Sequence, residues 1–376
     1  MLLPMNRYIN AVSLFILFCF SCKQVNSEKK EVYKKKQLGI SGLLTPADTL
    51  NSYDIGFKRL SDYDFFEKPL HLLKPVSKRV IPYELNSPLF TDYASKKRFI
   101  VIPKDKTISY KENGVLDFPL GTIIIKNFYY TSNELNKPND QIIETRLLIL
   151  DSASKKWVPL PYIWNEDQTE AYLYILGKDI DIVRKNEKSE EQAFMYSVPN
   201  INMCKNCHVK NTKIVPLGPT ARQINRYNQV FDSNQIDYLI TNSFIEGIKS
   251  SANSPKIPNY LDEKVSINNR ARAYLDVNCA HCHREGGSAK TSGLHLNYLQ
   301  NDMYKVGVNK PPVAAGKGSG NLDFDIVEGK PNESILMYRM KHLEPDIVMP
   351  EIGKNTLHKE GVELIEKWII SLDKKK

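Results

Sequence analysis

Two pentapeptides concentrate the chemistry of this chain. Cys204-Lys205-Asn206-Cys207-His208 and Cys279-Ala280-His281-Cys282-His283 both read C-x-x-C-H, the attachment pattern of c-type haem. Two cysteines three residues apart on a helical turn present both sulfurs to two vinyl groups, which form thioethers. The adjacent histidine then lies under the ring as proximal iron ligand. The expectation is two covalently bound haem c groups. Cys204, Cys207, His208, Cys279, Cys282 and His283 bind them, and His208 and His283 ligate iron. The competing chemistry is zinc, because the same four cysteines could form one four-thiolate site. The two pairs stand about 70 residues apart, longer than the usual ribbon spacing, and a histidine after both would be a coincidence.

A sixth iron ligand is the next requirement. Met349, followed by Pro350, falls in a loop between the last two predicted helices, and a thioether opposite histidine raises the haem potential. Met337 and Met340 are rivals, but they lie in a helix whose apolar face needs them. The first motif has no comparable partner. Met203 abuts Cys204, Met195 is far upstream in a predicted strand, and His71, His295, His342 and His358 read as surface residues. Leu217-Gly218-Pro219 follows His208 at the offset where single-domain cytochromes c carry a turn whose carbonyl accepts the histidine Nδ1 proton. Arg222 and Arg226, one helical turn apart, are candidates to neutralise propionates.

The elements that position these groups divide by pattern. Residues 1–21 read as a signal peptide: Arg7 supplies the positive end and residues 11–20 an apolar core too short to span a bilayer. Ser21-Cys22 at its end resembles a bacterial lipobox, which makes Cys22 a lipidation site. Ordinary secretory cleavage and an uncleaved anchor are the alternatives. Residues 22–45 form a Lys-rich tether. All three readings place the body outside the cytoplasmic membrane, on the periplasmic side of a bacterial membrane, where haem is attached. With four of the six cysteines given to haem and Cys19 and Cys22 in the leader, none remains for a disulfide. The net charge of +9 comes with no nucleic-acid motif, so nucleic acid is not an expected partner.

Residues 46–198 read as β, with runs rich in Ile, Val, Tyr and Phe at 98–102, 107–110, 122–130, 144–150, 156–160, 171–176 and 192–198. Asn113-Gly114 is a hairpin signal. Trp157, Tyr162, Trp164, Tyr172 and Tyr174 read as β-core rather than a binding surface. Residues 199–262 form a first haem region, with helices expected at 220–227 and 233–244. Residues 263–376 form a C-terminal cytochrome c domain, with helices at 266–278, 331–341 and 359–372. Val362, Ile365, Trp368 and Ile369 make a stripe that packs on the first of these. The expected fold is therefore multidomain: an all-β sandwich or jelly-roll-like domain followed by two all-α cytochrome c-type haem regions.

The chain resembles an uncharacterised family of exported dihaem c-type cytochromes with an N-terminal β-domain. The resemblance rests on Pro82-Tyr83-Glu84-Leu85-Asn86-Ser87-Pro88-Leu89-Phe90-Thr91-Asp92-Tyr93, on Leu160-Pro161-Tyr162-Ile163-Trp164-Asn165-Glu166-Asp167-Gln168-Thr169, on Val198-Pro199-Asn200, on Pro311-Pro312-Val313-Ala314-Ala315-Gly316 and on Met349-Pro350-Glu351. It implies haem at both motifs and export, and leaves substrate and partner open. The expected activity is one-electron transfer with redox partner proteins, from a lipid anchor in the membrane. A dihaem peroxidase or oxidase with an open first haem is one alternative. A β-domain that binds a protein or glycan, with appended redox centres, is another.

Overall fold

The computed structural model describes residues 56–313 and 316–373. The expected signal peptide (1–21), the expected lipidation site Cys22 and the expected tether (22–45) lie outside the described residues, as do Ala314 and Ala315. Six strands make one antiparallel sheet in the order β1–β2–β4–β5–β6–β7. They are β1 (Val80–Tyr83), β2 (Ser95–Val101), β4 (Ile123–Tyr130), β5 (Gln141–Leu150), β6 (Trp157–Trp164) and β7 (Ala171–Leu173). β3 (Ile108–Ser109) lies apart and pairs in parallel with Ile245–Glu246. β8 (Lys178–Lys185) and β9 (Glu191–Val198) form a separate two-stranded ribbon.

The expected sandwich with two all-α regions does not hold. Side chains alternate across a strand, and here both faces are apolar. Phe99, Val101, Ile123, Ile125, Leu147 and Ile149 pack on one side, and Ile100, Ile124, Leu148 and Leu150 on the other. Such a sheet needs a cover on each face. A second sheet is one solution, but the chain uses different covers. One face is closed by Phe57, Leu60, Tyr63, Phe65 and Phe66 from the segment before β1. The other is closed by Ala221, Ile224, Ile236, Leu239 and Phe244, which belong to the expected first haem region.

That region is therefore not all-α. Within 199–262 it carries five two-residue strands and three α-helices, Met203–His208, Ala221–Ile224 and Gln235–Thr241. Its backbone pairs with the β part at Ile245↔Ile108 and Val115↔Thr220. The C-terminal part is helical at its ends and looped between them. Helices Ile267–Asn278, Ile335–Lys341 and Lys359–Ser371 surround one core. Ser266 caps the first by accepting from Asn269 N, which satisfies an orphan backbone donor. The predicted stripe is buried, with Trp368 and Ile369 at 0% exposure. The first and last helices cross closely enough that a Cβ on Gly361 would sit 2.3 Å from Tyr274 Oη.

The residues of segment 82–93 join these parts. Ser87 N donates to Gln223 Oε1 (3.0 Å) and Ser87 Oγ to Pro258 O (2.7 Å). Phe90 N donates to Asn278 Oδ1 (2.9 Å). Asp92 Oδ1 accepts from Asn355 N (2.7 Å), Thr356 N (2.8 Å) and Thr356 Oγ1 (3.0 Å). Asp92 is 1% exposed, so these bonds replace the water its carboxylate has lost.

Candidate functional site

Cys204, Cys207 and His208 line one cavity of about 430 Å³, within the usual range for small-molecule sites. Its walls include Tyr83, Leu85, Leu89 and Phe90 from the 82–93 segment. The sheet adds Ile124, Phe128 and Leu148, and the C-terminal part adds Ala280, His281, Arg284 and Pro350. Three regions of the sequence thus meet around the first motif.

Both motif histidines are held in the same tautomer. His208 Nδ1 lies 2.8 Å from Val215 O, and a carbonyl can only accept, so Nδ1 carries the proton. His283 Nδ1 lies 3.0 Å from Ser292 Oγ, whose own hydrogen goes to Ala289 O (2.8 Å). That hydroxyl must accept from His283. In both rings Nε2 is left as the lone-pair nitrogen, the arrangement that prepares a histidine to bind a metal. Burial lowers both imidazoles from 6.5 to about 4, so both are neutral at ordinary pH. The carbonyl holding His208 belongs to Val215, two residues before the Leu217-Gly218-Pro219 turn that the sequence pointed to.

The cavity carries a row of cations that sequence reading missed. Arg98, Lys126 and Arg146 sit opposite one another on β2, β4 and β5, and all three line the cavity. Like charges in direct cross-strand register repel. Arg146 is neutralised by Glu144, with Nε–Oε2 2.8 Å and Nη2–Oε1 2.5 Å. Arg98 is 7% exposed, and its buried Nε has no hydrogen-bond partner. Neither Arg98 nor Lys126 has an ion-pair partner among the described residues. Burial, then the charges of Arg98 and Arg146, pull Lys126 down to about 7. Across the cavity, Arg284 has Nε and Nη2 buried and unpartnered. Period-two alternation places Arg98, Lys126 and Arg146 on one sheet face, but only the strand register, absent from the sequence, lines them up.

Arg222 and Arg226, weighed from sequence either as propionate partners or as a solvated face, are already paired. Arg222 Nη2 meets Asp276 Oδ1 at 3.0 Å. Arg226 Nη2 meets Glu84 Oε2 at 2.8 Å, and its Nη1 donates to Leu85 O at 2.6 Å.

The second motif follows the helix Ile267–Asn278. Cys279 packs against the C-terminal core beside the fully enclosed Leu275. Met337 and Met340 are buried in that core, which is the role expected of them. Met349 is half-buried in the loop before the last helix. That loop is fixed by Lys354, whose Nζ donates to Met340 O (2.7 Å) and Met349 O (3.1 Å). Asp92 holds the next two residues. Pro350, Ile352 and Gly353 line the cavity of the first motif, and Met349 is not among its lining residues. His358 is buried, not exposed: its ring stacks on Phe90 at 4.0 Å, and Nδ1 lies 3.0 Å from Tyr274 Oη.

The two motifs touch. The ligand atoms of Cys207, His281 and Cys282 all lie within 4.8 Å of one another. Cys282 Sγ is 3.4 Å from Asn206 O, and Asn211 N donates to Gly286 O at 2.9 Å. The close approach of Cys207 and Cys282 pushes the Cys207 thiol up and the Cys282 thiol down, the behaviour of one proton shared by a pair. Cys204 and Cys279 are not members of this group, so the four-cysteine zinc site weighed from sequence is not assembled.

Among the described residues no helix is long and apolar enough to cross a membrane. Comparison with protein-family models, with curated proteins and with solved structures finds no match for this chain.

Proposed function

We propose that this chain is a dihaem c-type cytochrome that transfers single electrons between redox partner proteins, exported and anchored by lipid at Cys22. The observation that carries the reading is the pair of C-x-x-C-H motifs, each with a histidine Nδ1 proton tied to a neighbour and Nε2 left to ligate. The cavity suits the chemistry of the group. A haem is a flat apolar ring bearing two carboxylates, and this cavity has apolar walls with unpartnered guanidinium N–H groups at Arg98 and Arg284. When bound, haem supplies an iron that takes up and gives back one electron.

The chain's own residues do the rest. Cys204 and Cys207 hold the first group and Cys279 and Cys282 the second. His208 and His283 would each ligate an iron, and Met349 would supply a further ligand at the second motif. Arg98, Lys126 and Arg284 offset carboxylate charge at the first site. The resemblance to exported dihaem cytochromes is part of this proposal and rests on the segments quoted above.

Pyridine haemochrome quantified against mature protein is expected to give two haems per chain that acid–acetone does not extract. One haem or none overturns the reading. A second reading has its own observation: Cys207, His281 and Cys282 could bind a single zinc or copper ion. It leaves Cys204, Cys279 and both Nε2 atoms without a task. Stoichiometric zinc or copper in place of haem iron, by elemental analysis, would establish it.

A further inference from the structure

We propose that the two attachment sites form a single coupled pair, in which an electron passes between the two haems across the contact of Cys207, His281 and Cys282. The inference rests on the dihaem reading above and deepens it. The supporting geometry belongs to the polypeptide. Cys207 and Cys282 are each the second cysteine of their motif, and their sulfurs lie within 4.8 Å. Each sulfur would be two bonds from the macrocycle it carries, through the carbon of the former vinyl group, so the thioether-bearing rims of the two groups would adjoin.

This approach is clamped on several sides. Asn206 O meets Cys282 Sγ at 3.4 Å. Asn211 N donates to Gly286 O at 2.9 Å, on a residue with φ of +72°. A Cβ on Gly286 would lie 2.2 Å from Asn211 Oδ1 and 3.2 Å from Asn211 N, on a backbone with positive φ, so a side chain there strains this contact. Arg222 and Asp276 bridge the two regions at 3.0 Å, with side chains 14% and 10% exposed. Residues so far apart in sequence are brought together here by specific contacts on three segments, not by one loop passing another.

In the step itself one ferrous iron is oxidised to ferric and the other ferric iron is reduced to ferrous. No bond or proton changes. The first electron comes from a one-electron donor protein and leaves to a one-electron acceptor protein, as in the function proposed above. The pair can thus hold two electrons and equilibrate them internally.

The test uses the full chain loaded with both groups, counted first by haemochrome. Fewer than two haems overturns the dihaem reading itself. With two present, the wild type is expected to show a bisignate Soret circular-dichroism couplet. Cys204→Ala/Cys207→Ala, retaining one haem, should lose it. Gly286→Val should keep two haems and weaken the couplet. If either variant fails to fold, reductive titration of the wild type decides. In a coupled pair the reduction of one haem shifts the potential of the other, and the oxidised iron signals in electron paramagnetic resonance are broadened by their neighbour. Two haems with a single-signed Soret band, unbroadened signals and no mutual effect on potential would overturn the coupled pair and leave the dihaem reading standing.

Discussion

The first and second C-x-x-C-H motifs share a sequence pattern and differ in almost everything around it. The first sits on the six-residue helix Met203–His208. Its surroundings are a sheet face with three cations in register, and its histidine is held by a backbone carbonyl. The second ends a twelve-residue helix packed in a helical core. Its histidine is held by a serine hydroxyl, and a methionine loop follows. Identical attachment motifs in unlike surroundings would give unlike potentials, because hydrogen bonding, charge and burial tune a metal centre along with its ligands.

The comparison breaks most completely if one motif is removed. Cys204→Ala/Cys207→Ala should leave one haem with the methionine–iron band of the oxidised protein intact. Cys279→Ala/Cys282→Ala should leave one haem without that band. If both variants keep the band, Met349 is not specific to the second site. Met349→Ala should next lower the second centre's midpoint and remove the band, with a much smaller change at the first centre. Rapid cyanide binding by the wild-type first centre with peroxide turnover would instead indicate the peroxidase alternative.

Smaller effects sharpen the contrast. Arg98→Gln/Lys126→Gln removes two cations that favour the reduced iron. The first centre's midpoint should fall by on the order of 60 mV, the equivalent of a tenfold change for one electron, as read by potentiometric titration. An equal fall at both centres would show that the row is not local to the first. Ser292→Ala removes the acceptor that makes His283 more basic. It should raise the second midpoint by less than the cation change shifts the first. The least site-specific effect is on stability. Burial lowers His358 from 6.5 to about 4, offset in part by Glu360. Between those values the unfolded chain takes up a proton that the folded chain refuses. Stability is therefore fully present above pH 6.5 and falls as pH drops towards 4, by up to about 3 kcal/mol. Thermal melts across that window should show the loss, and His358→Gln should flatten it.

Local signals in the sequence carried far. The strands near 98, 122, 144 and 192, the helix capped by Ser266 and the stripe through Trp368 all follow from period and propensity, which are written into neighbouring residues. The covers of the sheet were not legible. An apolar strand face states that something packs there, not whether it is a sheet or a helix. Hence the expectation of a sandwich and of a separate all-α first haem region. β1 and β8 were missed because Val80–Tyr83 is short and ends Pro-Tyr, and Lys178–Lys185 is heavily charged. The motifs themselves were plain in the sequence. The contact between Cys207 and Cys282, and the line of Arg98, Lys126 and Arg146, depend on long-range register that no local pattern encodes.

The shared core on the sheet's second face bears on how this protein can be taken apart. A fragment ending before the first motif would keep every strand of the large sheet and lose Ala221, Ile224, Ile236, Leu239 and Phe244. Ile100, Ile124, Leu148 and Leu150 would then face water as one contiguous apolar patch, a surface that drives aggregation. The strands cannot be produced as a soluble module without the residues that follow them, nor can those residues keep the cation-lined cavity without the strands. Dissection of the molecule should therefore proceed by point substitution, not by truncation.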